Sequence, residues 1–377
     1  MLKSSSCIVK SPTGSGKSLI IAYVINNLLN WGLIRSSIIV VPTKGLIKQF
    51  HSDLLDYGID DSLIGEVHST SKEFDKSIVI STWQSLSNKI GAINAFDCVI
   101  IDECHGSKAE KLFGILKYAD NVTFKYGVTG TLPEDKLELM QVKSYLGPVL
   151  KEITNNYIAE KGHISKCNIK MINLHYNNLV IQRNTEYADI RDMVFKHPFR
   201  INFISEIASK CTKTLLILVE KIEDEGDYLY NHLQSLGIDK EIVFLHGKTD
   251  SNLIEKYRKQ AEYDNNLIII ATYGIFSQGI NIKSLQYIIK AVSYRSKIRV
   301  LQSIGRALRS HIDKEDGAYI FDICDDVKVF KKQKSQRKRF YKNEEFNIEE
   351  YHIKENEITN FSDFFDKNIL PDELFEL

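Results

Sequence analysis

The 377-residue sequence has six cysteines but no Cys-x-x-Cys pair and no paired Cys/His spacing. That excludes the common zinc-ligand patterns and leaves reduced, buried thiols of a cytosolic protein as the expectation. No apolar run is long enough to span a bilayer. The opening stretch MLKSSSCIVKSP lacks the apolar core of a secretion signal. Net charge is absent too, since 49 Lys and Arg balance 49 Asp and Glu. A global electrostatic field is thereby excluded, and any nucleic-acid binding must rest on local patches. What remains is 43% hydrophobic and 26% charged, the composition of a globular chain long enough for two domains.

Short β-branched runs alternate with helix-length amphipathic segments, which predicts parallel α/β layers. The first half offers CIVKS, SIIVVP, SIVIST, CVIID and YGVTG as strands; the second offers LLILV, EIVFLH, LIIIAT, QYIIKAV and AYIFDI. Two such series predict two doubly wound domains, because near-continuous apolar strands need helices on both faces. The polar, turn-rich stretch ITNNYIAEKGHISKCN is the expected junction, placed near residue 158. The expected domains are therefore 1–158 and 159–326, followed by a basic and then acidic extension over 327–377. Between Lys328 and Lys342 stand eight Lys or Arg and no acid. Two readings stay open for that run: a solvated helix face, or a contact with a phosphate backbone.

The stretch SPTGSGKS follows a strand and opens a helix, but Ser11 occupies the place of the usual first glycine of a phosphate loop. A small residue suffices there if its φ is negative. Gly14 and Gly16 allow the turn and a close approach to an anion, and consecutive N–H groups from Thr13 to Ser18 would cradle phosphate oxygens. Ser15 lies inside this cradle, Lys17 would reach the β/γ-phosphates of ATP, and the Ser18 hydroxyl would hold Mg²⁺. The bland alternative is a glycine turn before an ordinary helix.

CVIIDECH adds a second acidic motif at a strand end. Asp102 is expected to hold Mg²⁺ directly or through water, and Glu103 to deprotonate the attacking water. The competing account is a pair of acids capping the next helix. Cys104 reads as a packing residue, and His105 alone is ambiguous.

Taken in order, these residues resemble superfamily 2 helicases of the DExH kind. SPTGSGKS and DECH resemble motifs I and II, VVPTKGLIKQF motif Ia, ISTWQSL the adjacent Thr-x-x-Ser-Leu element and GVTGTLP motif III. LLILVEKIEDEGDYLYNHL, FLHG, IIIATYGIFSQGINI and QSIGRALRS are similar to the motif IV region, the element after it, motif V and motif VI. The resemblance covers roughly residues 7–325. Within it, FKYGVTGTLPEDKLELMQVKSYLGPVLKEITNNYIAEKGHI looks most like the UvsW-type DNA helicases of T-even phages.

This resemblance implies two tandem RecA-like P-loop domains and an ATP- and Mg²⁺-dependent helicase or translocase acting on branched or single-stranded DNA in replication, recombination or repair. RNA, R-loops or an ATP-gated clamp with little turnover are the alternatives. Arg306 and Arg309, three apart on one helix face, are implied as arginine fingers at the γ-phosphate. Gln302 is implied at the γ-phosphate or motif II, and Gly279 and Asn281 are implied to link the ATP ribose or γ-phosphate to the strand-binding surface. Thr43, Lys44, Thr82 and Thr272 are implied at the nucleic-acid backbone. Thr129 and Thr131 are implied to couple hydrolysis to movement, with a plain hydroxyl-rich turn as the alternative. Trp83 could stack on a base but reads better as a core anchor. The family carries an adenine-recognising segment before motif I, and only about nine residues precede the loop here. Weak base selectivity and a separate N-terminal domain or partner chain are therefore expected, as is a cytoplasmic location, that of the host if the protein is phage-encoded.

Overall fold

The computed structural model describes residues 1–12, 15–69, 71–87, 89–104, 109–133, 135–177, 179–182, 184–278, 282, 284–292, 304 and 317–358. The chain divides into two compact units, Met1–Thr154 and Asn155–Leu377. In the first, the strands are β1 (Ser6–Lys10), β2 (Ser37–Val41), β3 (Ile64–Val67), β4 (Ile78–Thr82), β5 (Cys98–Asp102), β6 (Phe124–Thr129) and β7 (Val149–Glu152). They pair in the order β3-β4-β2-β5-β6-β1-β7, all in parallel.

Period-2 alternation explains why these strands read as unbroken apolar runs. Along β2, Ile39 and Val41 join the core on one face, and Ile38 and Val40 the core on the other. Helices Lys17–Asn30 and Lys44–Asp56 cover the first face with Ile21, Ile25, Leu28, Ile47 and Leu54. Helices Ala109–Leu116 and Lys136–Leu146 cover the second with Phe113, Leu116, Val142 and Leu146.

The second unit holds β8 (Cys167–His175), β9 (Leu215–Val219), β10 (Glu241–Leu245), β11 (Leu267–Thr272), β12 (Tyr287–Lys290), β13 (Ala318–Asp325) and β14 (Asn347–Lys354). Their order is β10-β11-β9-β12-β13-β8-β14, again all parallel. Counted from its own first strand, each sheet has the same order, 3-4-2-5-6-1-7. The two α/β units share one topology. Among the described residues, no helix is long and apolar enough to cross a membrane.

That shared topology revises the expected C-terminal extension. In the first unit, helix Lys136–Leu146 and edge strand β7 follow β6. In the second, helix Lys328–Asn343 and edge strand β14 follow β13 in the same way. Residues 328–354 are thus the closing crossover of the second sheet, with β14 in register beside β8 over eight residues. The helix Asn155–Glu160 also belongs to this unit, because the Glu344 carboxylate accepts from the Asn155 backbone N–H and side-chain amide.

The basic helix is fastened through a buried charge network. Arg337 Nε donates to Asp322 Oδ2 at 2.8 Å, Tyr341 OH donates to the same oxygen at 2.8 Å, and Lys290 Nζ donates to Tyr341 OH at 2.8 Å. Arg337, Lys290, Asp322 and Tyr341 are each 0% exposed. Arg337 therefore cannot touch a nucleic acid, contrary to the reading of the whole run as one contact surface. Two cations share one carboxylate, and burial pushes the Lys290 amine down to about 8 from its ordinary 10.5, against the pull of Asp322. The folded lysine gives up its proton sooner than the unfolded one, so stability rises with pH between those two values.

Lys290→Met should therefore raise stability at pH 7 by about 2 kcal/mol and flatten the rise in melting temperature above pH 8. Arg337→Met should do the opposite, costing about 3–5 kcal/mol, because it strips Asp322 of its direct partner. A Lys290→Met protein that melts lower at pH 7 would show that the surplus cation is required.

Candidate nucleotide and nucleic-acid sites

β1 runs straight into the phosphate loop. The Ser11 N–H donates to Thr129 O at 2.8 Å, extending the β1–β6 ladder by one rung. Ser11 is buried and keeps a negative φ, so no glycine is needed there. Its hydroxyl lies 2.6 Å from that of Ser15, which donates to Pro12 O at 2.6 Å. The loop thus closes on its own hydroxyls. Gly16 does need to be glycine: it caps helix Lys17–Asn30 with φ 79°. No side chain caps that helix and no acid sits in its first turn, which suits an incoming anion.

The sheet order brings the two acidic-motif residues to this loop. Lys17 Nζ lies 3.3 Å from Glu103 Oε1. Glu103 has φ 53°, a left-handed conformation rare outside glycine. Thr129 Oγ1, at the end of β6, is 3.4 Å from Glu103 Oε2 and donates to Thr131 O at 2.6 Å. The Thr131 N–H returns a bond to Thr129 Oγ1 at 3.2 Å. Thr129 and Thr131 are therefore both bound into a buried turn that touches the acidic motif.

Asp102 ends β5 and is buried, and its Oδ1 has no hydrogen-bond partner. Burial, then the neighbouring Glu103 charge, pushes its carboxyl up to about 7, while Lys17 pulls the other way. A buried carboxylate oxygen without a donor fits a cation or its water. The Ser18 hydroxyl lies 3.0 Å from the Tyr57 hydroxyl. Nothing in the sequence singled out Tyr57, which follows helix Lys44–Asp56 and is 39 residues from Ser18.

A second site lies on the same unit. An open hollow of about 290 Å³ is lined by Thr43, Lys44, Ser69, Thr82, Gln84 and Ser85. Thr43 precedes the first turn of helix Lys44–Asp56. Lys44 Nζ donates to Ser69 Oγ, and Thr82 Oγ1 accepts from the Ser85 N–H at 3.3 Å. The lining carries hydroxyls, an amide and a cation but no acid, a set that fits phosphodiester oxygens without reading bases. Thr43, Lys44 and Thr82 line one hollow, and Ser69 joins them unforeseen because it follows β3, a strand that the apolar pattern hides. Thr272 ends β11, which holds the same place in its sheet as β4 does in the first. Trp83 packs against the apolar core below the hollow, and burial pushes the Cys104 thiol up. Thr13, Gly14, His105, Gly279, Asn281, Gln302, Arg306 and Arg309 lie outside the described residues.

Comparison with known proteins agrees with this geometry. The family model "Type III restriction enzyme, res subunit" matches residues 3–134. The ATP-dependent DNA helicase uvsW of Enterobacteria phage T4 is 27% identical over 344 residues, covering 88% of this chain and 68% of the phage protein. The DNA 3'-5' translocase XPB2 of Sulfurisphaera tokodaii is 23% identical over 355 residues, covering 83% of this chain and 77% of its own length. Two solved structures share the fold. A putative HsdR subunit fragment of a type I restriction enzyme from Vibrio vulnificus has TM-score 0.67 and 16% identity, covering 93% of this chain and 65% of the fragment. Dbp5 of S. cerevisiae bound to RNA has TM-score 0.62 and 13% identity, covering 98% and 90%. The chain is thus similar to ATP-dependent helicases and translocases, the phage T4 uvsW protein among them, and shares the paired parallel-sheet α/β fold of the solved neighbours.

Proposed function

We propose that this protein uses ATP hydrolysis to move along DNA and to remodel branched DNA during replication, recombination or repair. The observation that carries the reading is the cluster of Lys17, Asp102, Glu103 and Thr129 at one end of a sheet whose neighbouring strand ends form an acid-free polar hollow. A nucleotide site and a backbone grip on one rigid sheet are what a translocase needs. The DNA helicase and translocase relatives favour DNA over RNA as the track.

In this mechanism Lys17 leaves Glu103 for the β/γ-phosphates. Glu103, released from its cation, accepts a proton from the attacking water. Mg²⁺ would be held by Asp102 and by Ser18 once its hydroxyl turns from Tyr57, and when bound it neutralises charge on the phosphates. Arg306 and Arg309 stabilise the charge that develops on the γ-phosphate, and Gln302, Gly279 and Asn281 contact the nucleotide, as the resemblance implies. Thr43, Lys44, Thr82 and Thr272 grip the strand through its phosphates.

The deciding experiment is ATP hydrolysis with no polymer, single-stranded DNA, branched DNA and RNA. Stimulation by DNA, strongest with branched DNA, is expected; stimulation by RNA alone would overturn the reading. Lys17→Ala and Glu103→Gln should each cut turnover by about 100-fold or more, while Glu103→Gln still binds ATP in a filter or fluorescence assay. Retained turnover in Glu103→Gln would remove it from the role of base. Tyr57→Phe should lower the Mg²⁺ concentration for half-maximal binding of a fluorescent ATP analogue by about two- to tenfold, the worth of one net hydrogen bond. A raised Mg²⁺ requirement would instead make Tyr57 a support for the bound cation.

A further inference from the structure

The eight cations of helix Lys328–Asn343 are not equivalent. Arg337 is buried on Asp322. Lys334 and Lys338 both pair with Glu350 on β14. Lys331 pairs with Asp326 at 2.7 Å. The remainder, Lys328, Lys332, Arg339 and Lys342, are exposed. At about 100° per residue all four fall within one sector roughly 80° wide. From Lys328 to Lys342 that stripe is about 21 Å long. Lys328, Lys332 and Lys342 make no ion pair among the described residues.

We propose that this stripe is a contact for the phosphate backbone of double-stranded DNA, additional to the strand grip at the motif threonines. The inference rests on the DNA-translocase reading. Three physical points favour it over a solvated face. Solvated helix faces mix charge signs, and this one carries a single sign along its length. Like charges three and four residues apart destabilise a helix by a few tenths of a kcal/mol per pair, so the stripe works against the fold that bears it. Among the described residues, Asp322, Asp326 and Glu350 are taken up by the inner and flanking cations. Lys328, Lys332 and Lys342 are left over after these ion pairs of the described residues are made. A duplex carries one negative charge per about 1.7 Å of axis, so a stripe about 21 Å long can meet several phosphates at once.

The test uses the full chain and a fluorescent DNA duplex, with binding measured across a salt series. Changing Lys328, Lys332 and Lys342 together to Gln should weaken binding. It should also make the slope of log affinity against log salt shallower by about 2–3, near 0.9 per lost phosphate contact. The triple change to Arg should keep the slope, and Lys334→Gln with Lys338→Gln should leave it nearly unaltered. Matched melting temperatures separate lost contacts from lost folding. An unchanged slope in the Gln variant, with the wild type binding normally, would overturn this inference alone. Failure of the wild-type chain to bind DNA at any salt would overturn the translocase reading as well. A slope change with an RNA duplex and none with DNA would reassign the surface to RNA.

Discussion

Everything these units hold at their carboxyl edges follows from one constraint: parallel strands need crossovers, and crossovers leave every strand ending on the same side. Ser11, Thr43, Thr82, Asp102 and Thr129 end, or follow within two residues, β1, β2, β4, β5 and β6. Residues more than 100 positions apart therefore meet without any long loop. The order β5-β6-β1 goes further and sets β6 between the loop after β1 and the acids after β5. Thr129 consequently stands where Lys17 and Glu103 converge, and its hydroxyl reports on both the acidic motif and the Thr131 turn.

The duplicated topology shows what happens when the same edge is built with other side chains. Where the first unit has a glycine loop after β1, the second continues from β8 into Tyr176 and Asn177. At the end of β13, Asp325 accepts from Arg200 Nε at 3.0 Å and from the Tyr176 hydroxyl. Arg200 also donates to Ala291 O, just past β12, at 2.6 Å. The same three strand ends that hold the phosphate loop and acidic motif in one unit are tied together by an internal ion pair in the other. Among the described residues, this edge is therefore occupied by an ion pair and its hydrogen bonds where the first unit carries the phosphate loop and acidic motif. The chemistry is set by strand-end residues and not by topology.

How much of this was legible in the sequence depended on how local the signal was. The phosphate loop and DECH needed only short stretches, because glycine, lysine and acid at a strand end have few alternative uses. All ten apolar runs became strands, since burial on two faces leaves no choice of residue. Of the remaining four, β3, β7 and β14 are edge strands that lack that signature: β7 and β14 are largely exposed and carry Glu and Lys, and β3 is a four-residue strand with Gly65 and Glu66 at its centre. β8 is interior but has Asn168, Lys170 and Asn173 spaced along it. Tyr57 and Ser69 were illegible for a different reason: each matters only through a contact made by tertiary packing. The basic run was legible as a helix with charge, but one-dimensional charge counting could not say that Arg337 faces inward.

The Lys17–Glu103 pair gives the proposed cycle its order. Glu103 sits in a left-handed backbone state that costs about 1–3 kcal/mol, and its retention there needs tethers. Lys17 and Thr129 both hold its carboxylate. In the proposed cycle, a nucleotide that draws Lys17 to its phosphates takes that cation off Glu103 in the same step. The base is thus held neutralised by the lysine that later binds its substrate. In the proposed cycle, activation of the water and binding of the phosphates then become one event.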